Sequence, residues 1–405
     1  MSPAVESVVV EYLRLGLAFD RLEEGFVDAF TGDPALRAES LNGPPARPED
    51  LAVRARELRE RLPDGLPEDR AEFVGSHLRA LECSARKMAG EPIGFVDEVK
   101  AYFDVEITDG DEERYARAHA AIAVALDVPG ATGERLREAY AAYRRADEIP
   151  AHLVQPLVAE FSGMLRDRVR AEFPLPASET VEFEVVSDKP WSGFNYYLGD
   201  YRSKVAINTD LPQHMSALPG LIAHEAYPGH HTEHCRKEEI LVGSGQLEQT
   251  IFLVNTPQCL MAEGLADHAL AAADPEWHAR AAEIYADFGL RFEPERAAAV
   301  SKAAAGLLHV RQDAALALHD RGRSQEDVAS FLQRWLLAPP YRARQMLRFL
   351  TSPLWRAYIS TYVEGYELLE GWLDVVPAGE TRLTRFGRLL DEPLTPAGLR
   401  REMTA

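Results

Sequence analysis

Apolar residues recur every three or four positions along most of the chain, as one buried face of an α-helix requires. Glycine, proline and aspartate interrupt this pattern and separate the helices from one another. The predicted helices cover residues 3–29, 48–61, 67–89, 111–127, 132–147, 152–172, 246–272, 275–319, 324–337 and 354–374. The pattern therefore predicts a mainly α fold.

A short stretch near the middle of the chain alternates between apolar and polar residues instead. VEFEVV at 181–186 and KVAIN at 204–208 are rich in β-branched residues, which favours strands. Residues 187–200 between them are rich in turn formers. The sequence thus predicts a small β element within about residues 181–208.

The clearest boundary in the chain is PLPAS at residues 174–178. It separates an N-terminal helical portion, residues 1–175, from a second portion, residues 176–405, that contains the predicted strands. We do not expect the first portion to fold alone. The whole chain of 405 residues is long enough to bury a large core.

The chain is strongly acidic, with 65 Asp and Glu against 44 Lys and Arg and a net charge of -21. This charge disfavours nucleic acids and anionic membranes as partners, because phosphate binding depends on clustered Lys and Arg. No apolar run approaches the roughly 20 residues that cross a bilayer. The first residues lack a basic leader with a cleavage site, so we expect a cytoplasmic protein. The oligomeric state is not indicated.

Residues 224–231 read HEAYPGHH and concentrate more metal-capable side chains than any other stretch. A zinc ion binds a few nitrogen and oxygen ligands that converge on one point, and a carboxylate that is not a ligand can accept a proton from the water that the ion activates. His224 and Glu225 match the start of the helical zinc motif HExxH, but Pro228 stands where the second histidine belongs. The alternative is a run of histidines on a solvated helix face.

The proline changes which histidine can be the second ligand. In a regular helix residues four apart share a face, so His230 would lie off the face of His224. Pro228 lacks the amide that would bond to the His224 carbonyl, and Gly229 tolerates dihedrals that other residues avoid. We expect a local bulge here that brings His230 beside His224. His231 is the weaker alternative, because it would lie about 10 Å farther along the helix axis.

A third protein ligand is expected on a second helix. LMAEGLADHAL at 260–270 has a helical pattern, and Glu263 within it is flanked by apolar residues. A lone glutamate is more often a solvated surface charge, but the neighbouring histidine motif favours a carboxylate held in a cleft. Asp267 and His268 are candidates for groups that orient a ligand. The three cysteines, by contrast, are too few and too widely spaced to predict a cysteine zinc site or a disulfide framework.

Several blocks of the chain resemble the bacterial domain-of-unknown-function 885 family, whose members are zincin-like and related in architecture to gluzincin peptidases. The blocks lie within residues 195–370, a little under half of the chain. Leu265 stands where the family usually has tryptophan, and His268 stands where an aromatic residue is commoner. The matching blocks are HEAYPGHH at 224–231, MAEGLADHA around Glu263, YRSKVAINTDLP at 201–212 with Asn208 and Thr209, and TYVEG with Tyr362 and Gly365.

The resemblance implies a zincin-like helical fold with a small β element beside the metal-binding helix, and a zinc site that hydrolyses peptide or amide bonds. By that resemblance His224, His230 and Glu263 would hold the metal. Glu225 would act as general base, and Tyr362 would donate a hydrogen bond to the developing oxyanion. A packing role for Tyr362 stays open, because tyrosines recur there every four residues.

A further set of residues is predicted to contact the substrate. KVAIN is expected to be an edge strand beside the metal helix, where an extended peptide can pair with it. Arg342 and Arg348 follow a pair of prolines and could clamp a substrate carboxylate, which would favour trimming from the C-terminus. In so acidic a chain they could equally be surface counter-charges. The remaining predicted substrate-binding residues are Asn208, Tyr227 and His231.

Three functions are consistent with the sequence. The first is a zinc-dependent peptidase or carboxypeptidase that acts on short peptides. The second is a metal-dependent enzyme that acts on a non-peptide amide or another small metabolite at the same site. The third is a metal-free binding protein, which the presence of Glu225 together with all proposed ligands disfavours. The sequence does not separate the first two, because substrate choice depends on pocket shape and loops.

Overall fold

A computed structural model describes residues 3–187, 193–210 and 212–404 of the chain. It is mainly helical with small sheets, which confirms the predicted fold class. The α-helices are α1 Pro3–Asp20, α2 Pro34–Ser40, α3 Pro48–Gly65, α4 Glu68–Met88, α5 Phe95–Phe103, α6 Glu112–Ala125, α7 Gly133–Ala146, α8 Ala151–Glu172, α9 Leu218–Glu225, α10 His230–Lys237, α11 Pro257–Ala273, α12 Trp277–Asp287, α13 Pro294–Ala304, α14 Val310–His319, α15 Gln325–Trp335, α16 Pro340–Thr351, α17 Tyr366–Asp374, α18 Arg382–Asp391 and α19 Pro396–Thr404.

Strands and short helical turns complete the secondary structure. The strands are β1 Val27–Phe30, β2 Thr180–Val186, β3 Gly193–Gly199, β4 Arg202–Asn208 and β5 Ile251–Leu253. The 3₁₀ turns are Leu247–Thr250, Ala305–Leu307 and Tyr358–Ser360, and the π-helical turns are Glu238–Val242 and Thr361–Gly365. The π-helical turn Thr361–Gly365 contains the predicted Tyr362.

The larger sheet has the strand order β2-β4-β3, with β4 parallel to β2 and antiparallel to β3. The prediction that KVAIN forms an edge strand was wrong, because KVAIN lies in β4 and pairs on both sides. The edge strand beside the helices is β3, within a segment predicted as a turn. Its glycines give β3 a composition typical of a turn. Within the strand, Asn195 and Tyr197 are buried, whereas Tyr196 and Leu198 are exposed. Trp191, in the same predicted turn, lies outside the described residues.

The smaller sheet contains β1 and β5, which lie far apart in the sequence. Both strands overlap segments that were predicted as helices, so the structure corrects those two predictions. The helix predicted at 3–29 ends at Asp20, and β1 then pairs antiparallel with β5. Gly25, with φ +84°, lies in the turn before β1 and cannot continue a helix. The helix predicted at 246–272 begins only at Pro257 because β5 occupies the preceding residues.

Two long predicted helices are divided in the structure. The segment 275–319 contains α12, α13 and α14, because Gly289 has φ +72° and Pro294 starts a new helix at its first position. The segment 354–374 contains a 3₁₀ turn, a π-helical turn and α17. The predicted helices between 48 and 172 agree closely with α3, α4, α6, α7 and α8, and the predicted strands 181–186 and 204–208 with β2 and β4.

Buried contacts cross the predicted boundary at residue 175. Tyr115 donates a hydrogen bond to Asp313 at 2.6 Å, and Glu98, whose side chain is fully buried, pairs with both Lys87 and Arg356. One continuous core contains side chains from both sides of the boundary. No helix in the described ranges is both long enough and apolar enough to span a bilayer.

The buried carboxylate of Glu98 provides a test of how strongly the two portions depend on each other. We expect Glu98→Ala to lower the free energy of unfolding by about 3 kcal/mol, because Lys87 and Arg356 would lose their buried partner. Urea unfolding should show a single transition in both proteins. Glu91→Ala, which removes the exposed partner of Arg86, is the control and should leave the unfolding free energy nearly unchanged. Two separate transitions in the wild-type protein would contradict this account.

Candidate metal centre

The helix that carries HEAYPGHH is interrupted between α9 and α10. The Gly229 amide donates to the Ala223 carbonyl at 2.8 Å, and the Thr232 amide donates to the Ala226 carbonyl at 3.2 Å. Each bond reaches back six residues, whereas a regular α-helix reaches back four. Two extra residues are therefore accommodated between the two helices.

Gly229 is required by the closeness of its own backbone to the preceding turn. A Cβ atom at this position would lie 1.9 Å from the His224 carbonyl oxygen and 2.4 Å from that of Ala223. The preceding Tyr227–Pro228 peptide bond is cis. Regular helical bonding resumes at once, since the Glu233 amide donates to the Gly229 carbonyl at 2.9 Å. Only glycine fits this position without moving the backbone.

The interruption brings together the three side chains that were predicted as metal ligands. The rings of His224 and His230 are nearly perpendicular, with centroids 4.8 Å apart. One ligand atom from each of His224, His230 and Glu263 lies within 4.8 Å of the others. We call these three residues the ligand triad. His231 is not part of it.

The side chains of the ligand triad are close enough to share one metal ion. His224 Nε2 lies 3.2 Å from Glu263 Oε2, and His230 Nε2 lies 3.7 Å from Glu263 Oε1. Two ligands bonded to zinc at about 2.0–2.1 Å in a tetrahedron are about 3.3–3.4 Å apart. Glu263 Oε2 is buried, and its nearest polar neighbour among the ligand triad is His224 Nε2. A divalent cation would bind this buried oxygen.

Glu263 is held in place by close packing of α11 against the π-helical turn Thr361–Gly365. A Cβ atom on Gly264 would lie 2.6 Å from the Gly365 carbonyl oxygen, and one on Gly365 would lie 2.6 Å from the Leu260 carbonyl oxygen. The two backbones can approach this closely only because both positions are glycine. The approach places Tyr358, which precedes this turn, against Glu263.

Two neighbouring side chains orient the ligand triad. Tyr358 donates a hydrogen bond to Glu263 Oε1 at 2.7 Å, and Asp267 Oδ1 lies 3.1 Å from His224 Nδ1. A carboxylate on the outer nitrogen of a ligand histidine fixes the ring and its tautomer. Asp267 was a predicted orienting group. The sequence indicates Tyr358 only as one of the tyrosines that recur every four residues, one helical turn before Tyr362. His268 instead stacks on Tyr366.

Glu225 lies beside the ligand triad without belonging to it. Its side chain is buried, and its carbonyl accepts a hydrogen bond from Asn195 Nδ2 on β3 at 2.7 Å. A Cβ atom on Gly193 would lie 2.9 Å from Glu225 Oε1, so the start of β3 passes directly over the carboxylate. Burial, and then the charge of Glu263, raise the pKa of Glu225 to about 7, although His224 opposes the shift.

Asp28 is a site residue that the sequence did not reveal. It lies on β1, in the segment predicted as the end of the first helix, and the pairing of β1 with β5 brings it to the centre. Burial and the charge of Glu263 raise its pKa to about 7. The crowding of Asp28, Glu225 and Glu263 gives the centre an excess of negative charge, which a divalent cation would offset.

Tyr362 borders the same space. Its ring lies 5.8 Å from that of Tyr358 and is only partly buried. Burial, followed by the charges of Glu263 and Asp267, raises the pKa of Tyr362 well above its ordinary value, so its hydroxyl stays protonated. No hydrogen bond within the described residues occupies that hydroxyl. Tyr362 therefore combines a packing contact with a hydroxyl that can donate to a ligand.

Tyr227 and His231, both predicted to bind substrate, belong instead to a buried network. The Tyr227 hydroxyl donates to Glu179 Oε2 at 2.8 Å, and His231 Nε2 lies 3.0 Å from the same oxygen. The other ring nitrogen of His231 lies 2.8 Å from Ser203 Oγ. The His231 side chain is fully buried. These contacts tie α10 to the larger sheet and leave neither residue accessible to a substrate.

The other predicted substrate-binding residues, Asn208, Arg342 and Arg348, differ in their burial and in their contacts. Asn208 is buried at the end of β4, where its side-chain oxygen accepts the Asp210 amide at 3.0 Å. Arg342 is half-buried on α16, and its charge interacts with that of Arg311 on α14. Arg348, on the same helix, is exposed, and no contact in the described part of the chain joins it to the triad. Arg342 is thus the predicted arginine whose charge interacts with a residue near Tyr362.

A separate recess contains none of the ligand triad. Its empty volume is about 410 Å³, part of it open to solvent. Tyr197, His234 and Lys237 contribute to its wall, together with residues of β1 and β5. Among the described residues, metal-capable atoms converge at the ligand triad and not in this recess.

Comparison with known proteins supports the fold only. No protein-family model matches the chain, and no curated protein matches it either. The putative lipoprotein from Colwellia psychrerythraea aligns with a TM-score of 0.56 and 17% identity, over 89% of this chain and 67% of that one. A putative lipoprotein of unknown function from Shewanella oneidensis aligns with a TM-score of 0.51 and 13% identity, over 91% and 76%. The resemblance to the domain-of-unknown-function 885 family stays a prediction.

Two glycine-to-alanine substitutions in this region should change the free energy of unfolding in opposite directions, because the space is crowded at Gly229 and open at Gly220. Gly229→Ala should lower the free energy of unfolding by about 2 kcal/mol, because the new methyl group would collide with backbone carbonyls. Gly220→Ala on α9, where a Cβ would meet only Leu270 at 3.9 Å, should raise it by up to about 1 kcal/mol. Urea unfolding measures both. A Gly229→Ala protein as stable as the wild type would contradict the geometry.

Two conservative tyrosine substitutions test whether the hydroxyl of Tyr358 helps to hold the ligand triad for metal binding. Tyr358→Phe removes the hydroxyl that bonds to Glu263 and should weaken zinc binding about 10-fold or more. Tyr362→Phe, the matched control, removes a hydroxyl that bonds to no ligand and should leave zinc affinity unchanged. Competition with a chromogenic chelator measures both affinities. Equal zinc affinities for the two variants would remove the orienting role of Tyr358.

Proposed function

We propose that this protein is a metal-dependent hydrolase, a zinc peptidase or carboxypeptidase that hydrolyses peptide or amide bonds. One observation carries the proposal: His224, His230 and Glu263 converge, and the buried Glu225 lies beside them without taking part in the ligand triad. Two histidines and a carboxylate leave a fourth position for water or substrate, the arrangement of catalytic rather than structural zinc sites.

The donor set and its surroundings support zinc as the bound metal. Zinc accepts imidazole nitrogen and carboxylate oxygen, and the triad offers two of the former and one of the latter. A zinc ion held there would supply a Lewis acid toward water and a substrate carbonyl. Asp267 would keep His224 in the tautomer whose Nε2 faces the ion.

The residues around the triad can supply the remaining chemistry. Glu225 would take the proton from the attacking water and later deliver it to the leaving amine. Tyr362 would donate its hydroxyl to the oxygen of the carbonyl under attack, where negative charge develops. Tyr358 has no such role, because its hydroxyl already donates to Glu263.

The strand β3 supports a peptide rather than a compact metabolite as the substrate. It packs against α9 and α10 and also contacts β1, and its strand partner in the described sheet is β4. An extended peptide backbone could add to the edge of β3, and Gly193 would bring it directly over Glu225. A small amide bound at the same centre is the second candidate, for which an extended edge would be unnecessary.

The proposal also includes expectations that rest on the sequence. The resemblance to the domain-of-unknown-function 885 family supports the assignment of His224, His230, Glu263, Glu225 and Tyr362. A cytoplasmic location is part of the proposal, and the net charge of -21 supports the exclusion of nucleic-acid and anionic-membrane partners. Fractionation of the native cells would test the location.

The central test compares two substitutions at adjacent residues. His224→Ala should abolish zinc binding, because it removes one of three ligands, and metal analysis of the purified protein should show the loss. Glu225→Gln should keep the zinc and lower the rate of hydrolysis by about 10²–10⁴-fold, because the base is lost. Mass spectrometry of a mixed library of peptides and acylated amino acids measures hydrolysis.

Each outcome of this test has a distinct meaning. Cleavage of peptides favours the peptidase, and cleavage of small acyl amides alone favours the second candidate. A fully active Glu225→Gln protein would reject the general-base role. Undiminished zinc in His224→Ala would reject the metal centre itself.

A further inference from the structure

Arg311 lies at the start of α14, beside the turn that contains Tyr362. Two hydrogen bonds fix this end of the helix: Gln312 Nε2 donates to Glu364 Oε1 at 2.7 Å, and His309 Nε2 lies 2.8 Å from Glu367 Oε1. Both acceptors belong to the segment that begins with the π-helical turn Thr361–Gly365. The placement of Arg311 next to the candidate centre is therefore built into the packing of α14.

The charge of Arg311 interacts with groups that surround the candidate centre. Its side chain is exposed to water, yet the surrounding protein lowers its pKa by desolvation. Tyr362 and Asp267 are close enough to oppose that shift, but neither forms an ion pair or hydrogen bond with Arg311. Asp267 in turn contacts His224. Asp267 therefore interacts both with the charge of Arg311 and with His224 of the ligand triad.

No counter-charge neutralises Arg311 within the described residues, although the chain has a net charge of -21. Most arginines of this protein bond to a carboxylate, as Arg70 does with Glu248 at 2.6 Å and Arg236 with Asp391 at 2.7 Å. An arginine without a carboxylate partner near a candidate active centre is suited to bind an anion that the chain itself does not supply.

A second guanidinium reinforces this positive site. Arg342 on α16 is half-buried, and its pKa is lowered by desolvation and by the positive charges of Arg144 and Arg311. Arg342 has a hydrogen bond with its neighbour Tyr341 but no carboxylate partner in the described chain. Arg144 has only a 3.7 Å contact with Asp147. Like charges with few counter-ions repel one another, and a bound anion would relieve this repulsion.

We propose that Arg311, supported by Arg342, binds the C-terminal carboxylate of the substrate and so makes the protein a carboxypeptidase that removes residues from the C-terminus of short peptides. The inference rests on the proposed function. A planar guanidinium matches a carboxylate in two parallel hydrogen bonds, which fixes direction as well as charge. With the carboxylate held on the Arg311 side of Tyr362, the preceding carbonyl would face Tyr362 and Glu225.

The clamp can be tested without catalysis, in protein freed of metal by a chelator. The probes are a set of N-acetyl amino acids and the matching N-acetyl amino acid amides, with binding followed by ligand-observed NMR. The wild-type protein should bind the acids and not the amides. Arg311→Met should weaken binding of the acids about 10-fold or more, because a charge-assisted pair of hydrogen bonds is lost. Arg342→Met should have a smaller effect in the same direction.

Arg348→Met is the matched control, because Arg348 lies on α16 with Arg342 but is exposed and remote from the triad. It should bind the acids as the wild type does. Circular dichroism establishes that each variant is folded. Equal binding of acids and amides by the wild type, unchanged binding by Arg311→Met, or binding of inorganic phosphate in place of the acids would overturn the clamp. Absence of zinc or hydrolysis would instead overturn the proposed function and leave this binding result standing.

Discussion

The hydrogen bond from the Gly229 amide to the Ala223 carbonyl determines where the ligand-capable atoms of the centre lie. Because it reaches back six residues, His224 and His230 acquire the relation that a spacing of four gives in a regular helix. The same bond brings the backbone of residue 229 so near the His224 carbonyl that no side chain fits there. The centre is thus defined by a backbone constraint, and the histidines follow from it.

A second backbone contact, between α11 and the turn Thr361–Gly365, determines what surrounds those histidines. Gly264 and Gly365 let the two segments meet at their main chains, which sets Glu263 against Tyr358 and keeps Tyr362 close to the same space. Both contacts depend on a glycine at a position where the backbone is crowded. Both also lie in the sequence blocks that contain the candidate site residues. A glycine substitution in either block would displace ligands without altering any of them.

The sequence predicted the features that depend on nearby residues and missed those that depend on distant pairing. Pro228 and Gly229 were enough to predict a bulge that favours His230, because proline and glycine act on the backbone locally. The edge position of β3 depends on how three strands assemble, and glycine and asparagine gave it the composition of a turn. Asp28 and Arg311 resemble ordinary surface charges, and only tertiary packing brings them to the centre.

The most direct measurement is anomalous X-ray diffraction at the zinc edge from crystals of the zinc-loaded protein. The account predicts one strong peak about 2.0–2.2 Å from His224 Nε2, His230 Nε2 and a carboxylate oxygen of Glu263. Glu225 should lie beside the peak without contacting it. A peak at the buried contact between His231 Nε2 and Cys235 Sγ, which lie 3.5 Å apart, or no peak near the ligand triad, would contradict the account.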